Sequence, residues 1–268
     1  MKLYFAGYSS YKNELASIPE AENLLESYVV FRNKNYAEWH KIHNLQNNRN
    51  LFLDSGAFSA FNSNLKLDIN RYAEFIKTYK YMLEVYANLD VIGDAKATQK
   101  NQAHLESLGL SPLPTFHYMS DLRELDRLCR TYKYIALGGL VPISKQRERL
   151  KSWLTKCFQI ILPYKTKVHG FGVGAFWLWE LFPWYSVDAT TWLNGGKFRE
   201  AGKFSANNFI KKDVKRISKR SVTKLNVRDQ FYLYKKDTSF LIKLNIQEYK
   251  KAADYCTRLW EKRGFHYT

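Results

Sequence analysis

Apolar segments that end in an acid or a glycine recur along this chain, and this pattern most constrains its fold. The clearest case is LFLDSGAFSA at residues 51–60, where an apolar stretch ends in Asp54 and a small turn follows at once. Such a segment is typical of a buried parallel strand that places a carboxylate at the edge of a sheet. Asp-Ser-Gly is also ordinary turn chemistry, so the repetition of the pattern carries the argument.

Strand and helix signals alternate about eight times with short connections, which favours parallel strands joined by right-handed crossovers. The best fit is an α/β protein with a closed (β/α)8 TIM barrel over residues 1–204 and a basic C-terminal extension over residues 205–268, predicted to form a hairpin and a helix. An open doubly wound sheet is the alternative fold. Strands are predicted at residues 2–7, 51–54, 82–92, 113–118, 134–141, 167–174 and 184–192, with an eighth from residue 197.

Residues 11–48 predict a helical insertion, with one helix over 14–31 and another over 35–45. His40 and His43 share a face of the second helix, and a packed or surface pair is far more common than a metal site at such spacing. Further helices are expected to begin at capping side chains and to end at a glycine. These positions are Asp68, Thr98, Ser120 and Ser144 at the starts and Gly109 at an end.

The chain is strongly basic: its 268 residues carry a formal charge of +17, and 46% of them are hydrophobic. The hydrophobic content suits one sizeable globular core. The charge predicts a polyanionic partner, most often nucleic acid, although a merely soluble basic surface is the alternative. Basic residues are densest in the C-terminal region, where we predict a nucleic-acid-binding segment made of Lys211, Lys212, Lys215, Arg216, Lys219, Arg220, Lys224 and Arg228.

Aromatic residues are interleaved with this basic segment and could stack on exposed bases. Residues 231–244 predict a hairpin that turns at Lys236 and Asp237. Asn245 and Glu248 have the spacing of a capping box for a final helix, which Gly264 is expected to end.

The three cysteines are far apart in sequence and include no CxxC pair. They suit a reducing compartment and supply no zinc-knuckle spacing, so neither a metal nor another cofactor is expected. The amino terminus predicts a strand rather than a signal peptide, and no apolar run is long enough to span a bilayer. A cytoplasmic protein without membrane contact is therefore expected.

In a barrel, polar residues at the carboxyl ends of the strands converge on one face. Two carboxylates flanking a sugar carbon can split a glycosidic bond, one attacking C1 and the other moving the proton. A third carboxylate can accept hydrogen bonds from a guanine-like base, glycine N–H groups can donate to its carbonyl, and aromatic rings can stack on its faces. The residues expected in this pocket are Asp54, Asp90, His117, Gly138, Gly139 and Asp188, with Phe58, Phe116 and Tyr118 as stacking candidates.

In their order along the chain, these motifs resemble the tRNA-guanine transglycosylase superfamily. The resemblance spans about residues 50–195. It rests on Asp54-Ser55-Gly56 with Phe58, on Gly138-Gly139-Leu140, on Gly172-Val173-Gly174 and on Asp188. That family folds as a (β/α)8 barrel and exchanges guanine in a nucleic acid for a 7-deazaguanine.

By position, the resemblance implies that Asp188 is the nucleophile of a covalent sugar intermediate and Asp54 the general acid/base. It implies that Asp90 reads the guanine edge, with Asp94 as a weaker candidate. Gly138 and Gly139 match the main-chain donors to the base carbonyl, and Gly172 lies in the matching glycine-rich strand end. His117 stands where the family usually has an amide side chain, so its role is left open.

The chain also departs from the tRNA enzymes, because it lacks their zinc subdomain and has Ala57 and Ser59 where they usually have glycine and glutamine. It is more similar to the compact, zinc-free DNA-guanine transglycosylases of phages and bacteria, the DpdA family. This implies insertion of a 7-deazaguanine such as preQ0 into DNA. A tRNA enzyme without the zinc module, a base-releasing glycosylase and an inactive nucleic-acid-binding barrel remain alternatives. Family members are often dimers, which makes a homodimer one expectation.

Overall fold

A computed structural model describes residues 1–7, 18–19, 21–33, 49–194, 200–205, 208–213 and 238–266. Its centre is one curled sheet of eight parallel strands in the order β4-β3-β2-β1-β8-β7-β6-β5. The strands are β1 Lys2–Ala6, β2 Asn23–Ser27, β3 Asn50–Asp54, β4 Val85–Tyr86, β5 Thr115–His117, β6 Tyr134–Gly138, β7 Lys167–Gly170 and β8 Ser186–Ala189.

The two outer strands of this sheet, β4 and β5, are connected through a parallel bridge between Ala87 and Leu113. The Leu113 amide donates to the Tyr86 carbonyl at 2.8 Å, and the Asn88 amide donates to the Leu113 carbonyl at 3.0 Å. An all-parallel curled sheet whose edges meet in this way is consistent with a TIM-like barrel.

Alternation along the strands divides the buried residues into two layers. Leu3, Phe5 and Leu24 belong to the larger core between the sheet and its helices. The opposite faces of the same strands line the inside of the curled sheet. This inner cluster consists of Tyr4, Ala6, Leu25, Phe52, Ala87, Leu113 and Ala136.

The helices alternate with the strands and cover the outside of the sheet. In three of these helices the N-cap is an aspartate whose side chain accepts from the free amides of the first turn. The helices are α1 Tyr28–Phe31, α2 Ala57–Asn62, α3 Ile69–Tyr79, α4 Ala95–Ser107, α5 Leu122–Thr131, α6 Arg147–Ile161, α7 Phe176–Leu181 and α8 Thr238–Lys262.

The predicted cap Asp68 is confirmed, since its Oδ1 accepts from the Asn70 amide at 2.8 Å. Gly109, with φ +75°, follows the end of α4 as predicted. The other predicted caps are wrong because an aspartate lies nearby in two cases and a 3-10 turn intervenes in the third. Asp94 caps α4 in place of Thr98, Asp121 caps α5 in place of Ser120, and Ser144 follows the turn Val141–Ile143 before α6 begins at Arg147.

Two of the predicted elements near the sheet are also wrong. The predicted helix over 14–31 contains β2, which pairs in parallel with both β1 and β3 and buries Leu24 and Leu25 on opposite faces. Residues 11–48 are therefore not a purely helical insertion. The predicted eighth strand from residue 197 instead contains β9 Glu200–Ser205, which pairs antiparallel with β10 Asn208–Asp213 in a separate two-stranded sheet.

The terminal helix α8 begins at Thr238, so the predicted second arm of the 231–244 hairpin is helical. Asn245 and Glu248 do not form a capping box, because they lie inside this helix. Their side chains reach the neighbouring hairpin: Asn245 Oδ1 accepts from the Gly202 amide at 2.6 Å, and Glu248 Oε2 from the Phe204 amide at 2.7 Å. Gly264, with φ +83°, follows the helix end as predicted.

Several predicted features lie outside the described residues, including the helix at 35–45 with His40 and His43 and most of the basic segment. Of that segment, only the backbone of Lys211 and Lys212 is described, in β10. In the described part of the chain, no helix combines the length and the apolar character needed to cross a membrane. The three cysteines, Cys129, Cys157 and Cys256, are buried and free.

Candidate active site

Three carboxylates and a histidine meet at the carboxyl edge of the curled sheet. Asp54 is the last residue of β3, His117 the last of β5, and Asp188 lies in β8. In the strand register, Asp54 lies beside Ser27, and His117 lies beside Gly138. Asp188 lies beside Tyr4, which belongs to the inner cluster. Asp90 follows β4 and contacts His117. The structure thus brings the four predicted side chains together at the mouth of the sheet, defined here as its carboxyl edge.

The carboxyl group of Asp54 has an altered proton affinity at the mouth. Burial, followed by the negative charges of Asp188 and Asp90, raises the pKa of Asp54 from 3.8 to about 7. A hydrogen bond from the Gly56 amide to Oδ2, at 3.1 Å, opposes this rise because it stabilises the charged form. A group with a pKa near 7 can both release and accept a proton close to neutral pH.

Gly56 sets the position of this carboxyl group. It has φ +75° at the start of α2, a left-handed conformation that glycine adopts without strain. A Cβ at this position would lie 2.3 Å from Ser27 Oγ and 2.5 Å from Val29 Cγ2. The turn after β3 therefore packs directly against the end of β2, as only glycine allows.

Asp90 and His117 form a pair at the mouth, and Asp90 follows β4, the strand next to the one that carries Asp54. His117 Nε2 lies 3.2 Å from Asp90 Oδ2, and both side chains are about nine-tenths buried, with exposures of 13% and 10%. The second oxygen, Oδ1, is buried and has no hydrogen-bond partner among the described residues. A carboxylate with one oxygen in contact with a neighbour and the other without a partner can accept a hydrogen bond from a ligand.

Asp188 is fixed by a main-chain donor. Its Oδ1 accepts from the Gly172 amide at 2.7 Å. Gly172 has φ +68°, and a Cβ there would lie 2.8 Å from Val141 Cγ2 in the loop after β6. The loops after β6 and β7 thus pack together beside the carboxylate. Gly172 acts on Asp188 through its main-chain amide.

A buried histidine that the sequence analysis did not select lies beneath Asp188. His169 Nε2 is 3.4 Å from Asp188 Oδ1, while Nδ1 is 2.7 Å from Ser186 Oγ, which in turn is 2.6 Å from the Tyr134 hydroxyl. Burial lowers the pKa of His169, although Asp188 acts in the opposite direction. If Tyr134 donates to Ser186 and Ser186 to Nδ1, the remaining proton of neutral His169 is on the nitrogen nearest Asp188.

The inward direction of the His169 side chain follows from the alternation of residues along its strand. His169 is the register partner of Ala136, a member of the inner cluster, and therefore points into the sheet. It is packed among rings, with centroids 4.7 Å from Phe52 and 4.6 Å from Phe171. A single sequence does not identify Ser186 and Asp188 of the adjacent strand as the partners of His169, so this residue was not selected.

The remaining predicted residues differ in exposure and in what they contact. Phe58 is 42% exposed in α2, and Gly139, with φ +70°, is exposed after β6. Gly138 is buried, and a Cβ there would lie 2.9 Å from Thr115 Cγ2. Asp94 is exposed and caps α4. Phe116 is wrong as a stacking candidate, because it is buried outside the sheet and lies parallel to Trp153 at 6.0 Å.

No protein-family model matches this chain, and no curated protein matches it. Among the residues that the structure describes, no three His, Cys, Asp or Glu side chains are grouped so that they could hold a metal ion. The mouth therefore offers the chemistry of its own residues: Asp54 with a raised pKa, Asp188 held by a main-chain amide, and Asp90 with one oxygen that no described residue binds.

Proposed function

We propose that this protein is a DNA-guanine transglycosylase, which exchanges guanine in DNA for a 7-deazaguanine such as preQ0. The observation that supports it most is the meeting of Asp54, Asp90 and Asp188 at one mouth, with the pKa of Asp54 raised to about 7. Glycosidic bond exchange needs one carboxylate that stays charged to attack carbon and another that carries a proton. The resemblance of the sequence motifs to guanine transglycosylases assigns those roles to the same residues.

In the first half of the reaction, an Asp188 oxygen forms a bond to C1′ of the target nucleotide as the bond from C1′ to the guanine nitrogen breaks. The proton that guanine needs on leaving comes from Asp54. The pair of electrons stays with guanine, and the deoxyribose remains as an ester of Asp188. The amide of Gly172 keeps the carboxylate oriented from below.

In the second half, the incoming 7-deazaguanine loses a proton to Asp54 and attacks C1′, which frees Asp188. The proton that left with guanine is replaced on Asp54 by one from the incoming base, and the cycle consumes no oxidant or reductant. The buried oxygen of Asp90 that lacks a partner in the described chain suits an acceptor for the N–H edge of either base, and its other oxygen is held by His117. The exposed ring of Phe58 suits a stacking partner.

The net charge of +17 supports a nucleic acid as the carrier of this guanine. In duplex DNA the glycosidic bond lies within the base stack, so the target nucleotide has to be flipped out or taken from a single strand, which costs a few kcal/mol. The choice of DNA rather than tRNA rests on the resemblance to compact, zinc-free enzymes.

The decisive experiment is to capture the ester. We expect denaturing electrophoresis to reveal a covalent complex between the protein and a guanine-containing single-stranded oligodeoxynucleotide, and we expect Asp188→Asn to abolish it. Asp68→Asn is the matched control, since it removes an aspartate charge at an exposed helix cap after β3, where asparagine is equally suitable. That variant should retain the complex.

Incorporation of radiolabelled guanine into DNA and into tRNA, measured side by side, distinguishes the two carriers. Label in tRNA alone would replace DNA by tRNA in the proposal. Abasic sites without incorporation would identify a base-releasing glycosylase. Failure of the unaltered protein to form an ester with either nucleic acid would leave only a binding protein and overturn the proposed chemistry.

A further inference from the structure

The loop and first turns after β6 carry a concentration of positive charge beside the mouth. Residues 145–151 contain four cations and one acid, Glu148. All four cations are exposed, and none of them has a carboxylate partner within ion-pair distance among the described residues. We call this set the basic rim: Lys145, Arg147, Arg149 and Lys151.

Two members of the basic rim lie on aromatic rings instead of pairing with acids. The Arg147 guanidinium is 4.5 Å from the ring centre of Trp177, at the start of α7, and that of Arg149 is 5.7 Å from the ring centre of Tyr118, just after β5. Stacking on a ring orients a guanidinium and leaves N–H groups at its edge for phosphate oxygens. Arg149 Nη1 also donates to Gln146 Oε1 at 3.3 Å, and its other N–H groups face no carboxylate among the described residues. The rings themselves offer faces to unstacked bases.

The neighbouring helix α5 shows the opposite arrangement. Its exposed arginines are each bound by a carboxylate, at 2.6 to 2.8 Å, within the same helix or its cap. These pairs are Arg123 with Asp121, Arg127 with Glu124 and Arg130 with Asp126. Positive charge is therefore neutralised on α5 and left available on the basic rim.

The basic rim is close to the proposed nucleophile. Its loop includes Val141, whose side chain lies against Gly172, and the Gly172 amide holds Asp188. Three carboxylates at the mouth repel a polyanion, so a nucleic acid that delivers a base there needs cations immediately beside them. The basic rim is a described surface that meets this need.

We propose that the basic rim binds the sugar-phosphate backbone of a single-stranded nucleic acid next to the target nucleotide, with Arg147 and Arg149 each on one phosphate. This inference rests on the proposed function for the identity of the target, but the binding it describes does not require the exchange to occur. Its partner is a polynucleotide in an unstacked form, since Tyr118 and Trp177 flank the cations.

The test compares two double variants that lose the same charge. Arg147→Ala with Arg149→Ala removes the stacked arginines, and Arg123→Ala with Arg130→Ala removes two paired ones from α5. Fluorescence anisotropy with a single-stranded oligodeoxynucleotide measures affinity over a range of salt concentrations. Each phosphate contact contributes about 0.7 to the slope of log K against log salt for single strands, so the rim variant should lose ~1.4 and bind about tenfold more weakly at physiological salt.

The control variant should keep the slope of the unaltered protein, and circular dichroism checks that both are folded. Arg147→Lys with Arg149→Lys should restore most of the slope, because it restores the charge. Equal slopes in rim and control variants, or no binding by the unaltered protein, overturn the inference. Formation of the Asp188 ester is measured separately at saturating oligonucleotide. If the rim variant binds more weakly but the unaltered protein forms no ester, the proposed function alone is rejected. If the ester forms but the rim variant binds like the control, the role of the basic rim alone is rejected.

Discussion

At the scale of single residues, Asp54 is the group whose ionisation should control the base exchange proposed above. Its pKa of about 7 means that it is half protonated near neutral pH. Departure of guanine needs the protonated form, so the rate of ester formation should fall as the pH rises through 7, by about tenfold for each further pH unit. Single-turnover ester formation between pH 5.5 and 8.5 measures this, and Asp54→Asn should remove both the dependence and most of the rate.

The same group predicts an effect on stability with a definite sign. Since the folded pKa lies above the ordinary value of 3.8, the folded state holds this proton more tightly, and the protein loses stability as the pH rises from about 4 to 7. Asp54→Asn should therefore stabilise the protein by up to about 4 kcal/mol at pH 8 and by almost nothing at pH 4. Urea denaturation at both pH values checks it, and an equal effect at both would argue against a raised pKa.

At the scale of elements, the turn after β3 connects the packing of the sheet to the position of Asp54. Gly56→Ala places a methyl group against Ser27 and Val29, whereas Gly93→Ala, at φ +83°, meets no atom within 4 Å. Both variants suffer the strain of a left-handed residue, about 1 kcal/mol, but only the first adds a clash. We expect urea denaturation to give at least about 2 kcal/mol more destabilisation for Gly56→Ala, and equal losses would contradict this packing.

The elements that sequence alone predicted are those with a local signal. The strands that carry Asp54, His117 and Asp188 each place a polar residue at or near the end of an apolar run, and Asp68 is followed by a clear helical period. In contrast, β2 reads NLLES, which suits a helix as well as a strand, and only its pairing with β1 and β3 decides between them. His169 was missed for the same reason, because its role depends on Ser186 and Asp188 in another strand.

At the scale of the whole molecule, the last helix connects the end of the chain with its beginning and with the outer helices. The amino-terminal nitrogen of Met1 donates to Thr257 Oγ1 at 2.8 Å, and Trp260 Nε1 donates to the Trp179 carbonyl at 2.8 Å. The buried face of α8 packs into the main core through Ile242, Ile246 and Ala252. The curled sheet therefore depends on a segment that lies outside its own strand and helix alternation.

Asn245 is the polar centre of this attachment, and its removal gives a test of it. It accepts from the Gly202 amide at 2.6 Å and donates to the Trp192 carbonyl at 3.2 Å, and it is itself buried. Asn245→Ala removes both hydrogen bonds, and the loss of a partner costs about 1–3 kcal/mol for each buried group. Asp254→Ala, which breaks a pair with Lys250 four residues away on the same helix, should cost only about 0.5 kcal/mol.

Urea denaturation should separate the two variants by at least about 2 kcal/mol. Asn245→Ala uncouples α8 from β9 and from the segment after β8, whereas Asp254→Ala changes only a local pair. Similar losses would mean that the apolar face of α8 alone holds it against the sheet.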